Sequence, residues 1–145
     1  MSATTPSSIP KTTTISSAAM FLANKTEMIQ FTYVIWVGQD RSEVYTIKLT
    51  VPANSTFFEA MKVAAEADPH FQFSTSIWPN GHYIHTIAGH RDQNIGFNFW
   101  LLFRLRFMPD PLNPPPPTHE FVAVGGVDDE IPKDGDYFLF WYKNV

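Results

Sequence analysis

Strict alternation of apolar and polar residues predicts a β-strand over residues 29–37. One side of this run is apolar throughout, with Ile29, Phe31, Tyr33, Ile35 and Val37. Because successive side chains of a strand point to opposite faces, the pattern indicates a strand with one buried face. A turn at residues 38–40 and a second alternating run, stopped by Pro52, complete a predicted hairpin.

Helical spacing replaces the alternation after the hairpin. Thr56 and Glu59 are three residues apart, which is the spacing of a capping box. In this motif the Thr hydroxyl and the Glu carboxylate each accept a hydrogen bond from the backbone N–H of the other residue. We therefore expect a helix that begins near Phe57. Asp68 should end it, because Pro69 disfavours the helical conformation of the residue before it.

Short apolar runs separated by turn residues make up the rest of the chain. A Trp-Pro-Asn-Gly turn lies at residues 78–81, and a polyproline loop lies at residues 114–117. Strands are predicted at residues 83–87, 97–107, 121–124 and 137–142. A hairpin, one main helix and several further strands indicate the α+β class, with a β-grasp-like mixed sheet.

Residues 1–26 differ in composition from the remainder. They are rich in Ser, Thr and Pro, with too few large apolar groups to offset the entropy lost on ordering. We interpret them as a disordered segment, either a linker or a tail, and residues 27–145 as the folded domain. A linker in this position favours a partner domain in a longer protein.

Composition excludes several classes of function. The 145 residues are 44% hydrophobic and carry a net charge of -4, with no basic cluster to neutralise a phosphate backbone, so nucleic acid is not an expected partner. No apolar run approaches the roughly 20 residues of a membrane span, and no signal peptide is present in this chain. The lack of cysteine removes disulfides, thiolate zinc sites and cysteine nucleophiles.

Two tripeptides match the N-glycosylation acceptor pattern. They begin at Asn24 and Asn54 and read Asn-Lys-Thr and Asn-Ser-Thr. Such sites are used only in secreted proteins, so these tripeptides favour an extracellular location.

The histidines and acidic residues do not form a recognisable catalytic or metal-binding pattern. His82 and His85 should point to opposite faces of a strand, and His85, His90 and Asp92 lack an accompanying nucleophile. Residues 128–130 are acidic and could hold calcium, but a solvated turn is the commoner role of such a run. We expect no metal, no cofactor and no enzymatic activity.

Four segments, taken together, resemble a known family. They read VPANST at residues 51–56, GHYIHTIAG at 81–89, NFWLL at 98–102, and GVD followed by IPKDG at 126–135. In this order they resemble the C-terminal domain of transcobalamin and intrinsic factor. The resemblance implies a β-grasp-like fold, no catalysis, and a role as one of two walls that enclose cobalamin.

The resemblance also implies a binding face, which we predict from the matching segments and the exposed turn before them. Its residues are Trp78, His82, Tyr83, Thr86, Trp100 and Leu102. For Trp78 two roles are open: a large apolar group in a turn is typical of a contact site, but it can also fold back as a lid over the core.

Because of three departures from the family, the resemblance supports the fold more than it supports the ligand. Nothing in these 145 residues could form the helical barrel domain that the carriers place before this one, the polyproline loop is an insertion, and a family motif resembling Phe-Trp-Gln-Leu has Leu101 in place of Gln. If that Gln bonds a corrin amide, its absence forfeits about 1 kcal/mol. We therefore expect this chain alone to bind cobalamin weakly or not at all.

The expected ligand is a corrinoid or another small molecule, and a helical-barrel domain or another protein is a candidate partner. The alternative is a protein-interaction or self-associating structural module that kept the fold and lost corrinoid binding.

Overall fold

Two β-sheets and one main helix make up the structure, a computed structural model that describes residues 12–13, 27–116, 121–123 and 125–144. The strands are β1 (Thr12–Thr13), β2 (Met28–Val37), β3 (Glu43–Pro52), β4 (Phe73–Trp78), β5 (Gly81–Ile87), β6 (His90–Arg91), β7 (Asn98–Leu105) and β8 (Tyr137–Asn144). The helix α1 spans Phe57–Ala67, and a 3-10 turn follows at Pro69–Phe71. The predicted α+β class with one main helix is confirmed.

The larger sheet is mixed and has the strand order β1-β3-β2-β8-β7. The strands β2 and β3 form the predicted antiparallel hairpin, whereas β2 and β8 run parallel in the centre of the sheet. The smaller sheet, β4-β5-β6, is antiparallel and contains a hairpin whose turn follows Trp78, as the Pro-Asn-Gly sequence predicts.

Local sequence signals account for the position of α1. The Thr56 hydroxyl accepts from the Glu59 N–H at 3.1 Å, and the Glu59 carboxylate accepts from the Thr56 N–H at 2.9 Å, which is the predicted capping box. The helix buries Phe57, Ala60, Met61 and Ala64 against the larger sheet. Burial of this apolar face is the main source of its stability.

Burial along β2 differs from the prediction. Its alternating apolar side is buried as expected, but Val34 and Trp36 on the other side are buried too. They form a second apolar cluster with residues of β7 and β8, among them Phe103 and Trp141. The prediction of one buried face was therefore wrong for the second half of β2, because side chains of β7, of β8 and of the segment around Val122 pack against Val34 and Trp36 on that face.

Two predicted strands are shorter than expected. Residues 97–107 contribute only Asn98–Leu105, since Phe97 has a left-handed backbone with φ 56° and cannot continue the strand. Within the described part of residues 121–124, Val122 forms an isolated bridge to Phe103, so these residues form no regular strand.

The Ser/Thr/Pro-rich segment lies mostly outside the described residues. Within it, Thr12–Thr13 pair in parallel with Lys48 and Leu49 of β3. The division at residue 26 between a linker or tail and a domain stays a prediction, and Asn24 lies outside the described residues.

Candidate functional site

A pocket of about 410 Å³ opens beside the β4–β5 hairpin. Both strands of the hairpin, together with β6, β7 and the loop between them, supply its walls. The lining residues are Ser76, Trp78, Tyr83, His85, Arg91, Asp92, Asn94 and Phe99.

A flat stack of Trp78 on Tyr83 is the main aromatic feature of this pocket. The ring centroids are 4.4 Å apart and the planes are inclined by 8°. The hairpin register explains the stack: Ser76 lies opposite Tyr83, and Trp78 is two residues further along the same face. Trp78 remains 50% exposed, so it is not a lid over the core.

Asp92 organises the polar side of the pocket. One of its carboxylate oxygens accepts from the Tyr83 hydroxyl, and the other accepts from the Trp100 backbone N–H at 3.2 Å. Burial, together with the hydrogen bond to Asp92 and its negative charge, raises the pKa of Tyr83 to about 12. The Tyr83 phenol therefore stays protonated at neutral pH and acts as a hydrogen-bond donor.

Trp100 and Leu102 lie on the core side of β7. Trp100 is 9% exposed, packs edge-on against Phe140, and donates its indole N–H to the His90 carbonyl at 2.8 Å. Leu102 packs against the main apolar core. Neither residue lines the pocket, although the Trp100 backbone holds Asp92 in place.

Two more residues of the predicted face also lie outside the pocket lining. His82 precedes Tyr83 and so projects from the opposite face of β5. There its ring stacks on Phe58 with centroids 3.9 Å apart. The Thr86 hydroxyl lies 2.7 Å from the His85 ring nitrogen Nδ1. The structure thus brings Trp78 and Tyr83 together and places the other four predicted residues elsewhere.

Sequence reasoning did not assign the residues that complete the pocket. The sequence suggests a cluster of Asp92 with His85 and His90, but His90 faces Glu43, with 3.3 Å between Nε2 and the carboxylate. Strand alternation could have placed His85 beside Tyr83, because the two are separated by two positions. No pattern in the sequence indicates the approach of Asp92 and Asn94 from the following loop.

A second cleft, of about 690 Å³, lies around Arg104. The Arg104 guanidinium pairs with Asp136 at 2.6 Å and with Glu130 at 2.9 Å. Burial lowers the pKa of Arg104, but these carboxylates outweigh the effect and raise it. Since Glu130 is only 8% exposed, the prediction that residues 128–130 form a solvated turn was wrong at this position. Arg104, Glu130 and Asp136 are thus paired with one another, which indicates a structural role for these three side chains.

Within the described residues, no group of three or more His, Asp or Glu side chains is placed to hold a metal ion. In the same part of the chain, no helix is both long enough and apolar enough to cross a membrane.

These features define an α+β domain with an aromatic pocket on a hairpin. No family model matches the chain. It is similar to the uncharacterized Drosophila melanogaster protein CG3556, with 44% identity over 117 residues. The match covers 81% of this chain and 19% of that protein, so the chain spans about a fifth of the relative's length.

Two solved structures share the fold. Haptocorrin in complex with Cbi superposes with a TM-score of 0.67 at 18% identity, covering 83% of this chain and 26% of haptocorrin. A Ruminococcus gnavus ATCC 29149 protein that has been suggested to bind metal superposes with a TM-score of 0.53 at 11% identity, covering 81% of this chain and 98% of that one. At these identities the similarity establishes the fold, and the haptocorrin match supports the structural part of the predicted resemblance.

Proposed function

We propose that the chain is a non-catalytic binding domain that holds a small molecule at the pocket of Trp78 and Tyr83. The observation that carries this proposal is the half-exposed Trp78 indole, supported from behind by Tyr83. A flat ligand that covers this indole removes apolar surface from water, and little side-chain freedom is lost because the ring is already stacked.

The polar groups around the stack fit a ligand with a hydrogen-bonding rim. Arg91 and Asn94 offer donors, and His85 offers a ring nitrogen beside the aromatic surface. A corrinoid has this chemistry, with a planar macrocycle bordered by amides. The shared fold with haptocorrin, solved with cobinamide, supports the corrinoid class over other planar ligands.

The size of the pocket favours a site completed by a second wall. A volume of about 410 Å³ holds only part of a corrinoid. A preceding helical-barrel domain would cover the remainder, and the length of CG3556 outside the matched region leaves room for one. We infer an extracellular location from the acceptor tripeptide at Asn54 and from the resemblance to secreted carriers.

The pocket chemistry favours binding over catalysis. Tyr83 keeps its proton at neutral pH, and both oxygens of Asp92 already accept hydrogen bonds from the protein. Neither group is therefore poised to act as a nucleophile or as a general base.

Calorimetric titration of the chain with cobinamide and with cyanocobalamin tests the proposal. We expect saturable binding weaker than about 1 μM, because a missing second wall gives up about a thousandfold in affinity. Trp78→Ala should abolish it, whereas Ile77→Ala, a change at the 84% exposed neighbour, should leave it unchanged. Absence of saturable binding up to about 1 mM, or equal binding by Trp78→Ala, would contradict the proposal.

A second candidate function is docking to a protein, or self-association. Ile95 is 93% exposed and Phe97 is 62% exposed in the loop between β6 and β7, and exposed apolar groups of this kind are typical of interaction surfaces. Light scattering at increasing concentration tests self-association. Ile95→Asp should return an associating chain to the monomer, and a monomer at all concentrations would exclude self-association.

A further inference from the structure

The position of the β4–β5 hairpin tip depends on few contacts. Ile84 and Ile87 anchor the base of the hairpin in the core, but residues 77–80 at the tip are exposed. The adjacent strand β6 contains only two residues and pairs with Thr86 and Ile87, far from the tip. Contacts of residues near the turn must therefore hold the tip, which carries Trp78, against the rest of the domain.

His82 makes the most extensive of these contacts. Its backbone N–H donates to Asp128 Oδ2 at 2.6 Å, and its Nδ1 lies 3.0 Å from Asp128 Oδ1. The ring also stacks on Phe58 with the planes inclined by 11°. One residue of β5 is thus held by a carboxylate and by an aromatic face of α1.

Asp128 is itself fixed to the start of α1. The carbonyl of Val127 accepts from the Phe58 N–H at 2.9 Å, and that of Glu130 accepts from the Phe57 N–H at 2.8 Å. Asp128 lies between these two anchors. Backbone N–H groups at a helix start have no intrahelical partner, so these bonds tie the 127–130 loop to the helix.

Gly81 permits the close approach of this loop to the hairpin. A Cβ at this position would lie 2.6 Å from Asp128 Oδ2, and the backbone φ of +125° is also one that L side chains rarely adopt. The turn is therefore shaped so that the carboxylate can reach the backbone of His82.

We propose that His82 and Asp128 form a latch that positions the Trp78–Tyr83 stack, so that His82 is a positioning residue and not a ligand contact. The latch joins the hairpin tip to α1 on the face of β5 opposite the pocket. Its role in binding rests on the proposed function, but the latch itself is testable without any ligand.

Hydrogen exchange of the full chain tests the latch directly. In Asp128→Ala we expect amides of β4 and β5 to exchange about tenfold faster, while those of β2 and β8 keep their rates. Asp129→Ala, a change at the exposed neighbouring acid, is the matched control and should leave the hairpin protected. Should Asp128→Ala not fold, Asp128→Asn retains an acceptor oxygen, and we expect it to accelerate the same amides to a smaller extent.

The environment of Trp78 is the second readout. In chain labelled with fluorotryptophan, the Trp78 fluorine resonance should shift or broaden in Asp128→Ala and in His82→Phe, which keeps the ring stack but lacks Nδ1. The double variant should match Asp128→Ala, because loss of the carboxylate already removes the Nδ1 contact that His82→Phe removes. Unchanged hairpin exchange, or uniform acceleration across both sheets, would overturn the latch.

Cobinamide titration of the same variants separates the two proposals. If the parent chain binds through Trp78 and the latch variants bind several-fold more weakly, both proposals stand. If the parent chain does not bind but hairpin exchange accelerates as described, the proposed function fails and the latch stands. Binding by the parent chain with normal hairpin exchange in Asp128→Ala overturns only the latch.

Discussion

His82 and Tyr83, neighbours in β5, are each hydrogen-bonded to an aspartate that comes from a different loop. Asp128 accepts from His82 on one face of the strand, and Asp92 accepts from Tyr83 on the other. The strand is thus held between two carboxylates, with the Trp78 stack on the Asp92 side. Several measurable consequences depend on this arrangement and on the core beneath it.

Trp78 and Trp100 should respond very differently to truncation. Trp78→Ala should change the free energy of unfolding by about 1 kcal/mol or less, because half of the side chain is already exposed. Trp100→Ala should cost about 3 to 5 kcal/mol, through lost burial and the cavity left behind. Urea unfolding at constant slope measures both, and equal losses would place Trp78 in the core after all.

Removal of the Tyr33 hydroxyl should not destabilise the domain. Tyr33 is fully buried among aromatic rings, and its hydroxyl has no hydrogen-bond partner among the described residues. Burial also raises its pKa far above the usual range. We expect Tyr33→Phe to be neutral or stabilising by about 1 kcal/mol, since a buried unpaired polar group carries a desolvation penalty. A loss of stability in thermal unfolding would reveal a partner for the hydroxyl.

Arg104 should be required for stability. Arg104→Met leaves Glu130 buried without its cation, and we expect a loss of about 3 kcal/mol, near the lower end for broken buried pairs because Arg104 is partly exposed. Arg106→Met is the control, because Arg106 directly follows the end of β7 and is exposed. This substitution should lower the free energy of unfolding by about 0.5 kcal/mol or less. Similar losses for the two variants would contradict a structural role for the ion pairs.

Acid should weaken the domain through Asp128. Partial burial raises the pKa of this carboxyl, but the hydrogen bonds from His82 outweigh that effect and hold the pKa below its ordinary value of 3.8. A carboxyl with a lowered folded pKa contributes stability above the unfolded value and loses it as pH falls through the folded one. Unfolding free energies should thus decline below about pH 4, and Asp128→Asn should show a shallower decline than the parent. If the free energy of unfolding declined with falling pH equally in the two proteins, Asp128 would not be a source of the acid sensitivity.

Asn54 should accept a glycan when the chain passes through a secretory pathway. It is exposed in the turn before α1, with a left-handed φ of 73°, so a glycan on its side chain can extend into solvent. Thr56 serves both as the acceptor-site threonine and as the helix cap. Mass spectrometry of secreted chain, with Asn54→Gln as control, should show a glycan that the variant lacks. An unmodified parent chain would contradict this prediction.

The features that the sequence predicts well are those encoded over a few residues. The capping box of Thr56 and Glu59 and the alternation of β2 are local patterns, and both appear in the structure. The burial of Trp36 on the second face of β2 depends on β7 and β8, which lie far along the chain. No local pattern carries that information.

The candidate site likewise combines a feature that is visible in the local sequence with contacts between residues far apart in the chain. Trp78 could be identified from its turn, because a tryptophan beside Pro79 and Asn80 is unusual in a buried position. The bond between His82 and Asp128 joins residues 46 positions apart, and only the assembled fold brings them together. The sequence therefore predicted an exposed tryptophan in this turn but not the groups that hold it in place.

The parallel pairing of β2 with β8 has a consequence for how the domain is made. Val34 pairs with Leu139 at the centre of the sheet, so a loop of roughly 100 residues must close before the core can form. Folding should accordingly be slow for a domain of this length, because such long-range pairing raises the contact order. A ribosome-bound chain that lacks β8 has no partner for one edge of β2, and its apolar strands stay open to aggregation until the last strand has emerged.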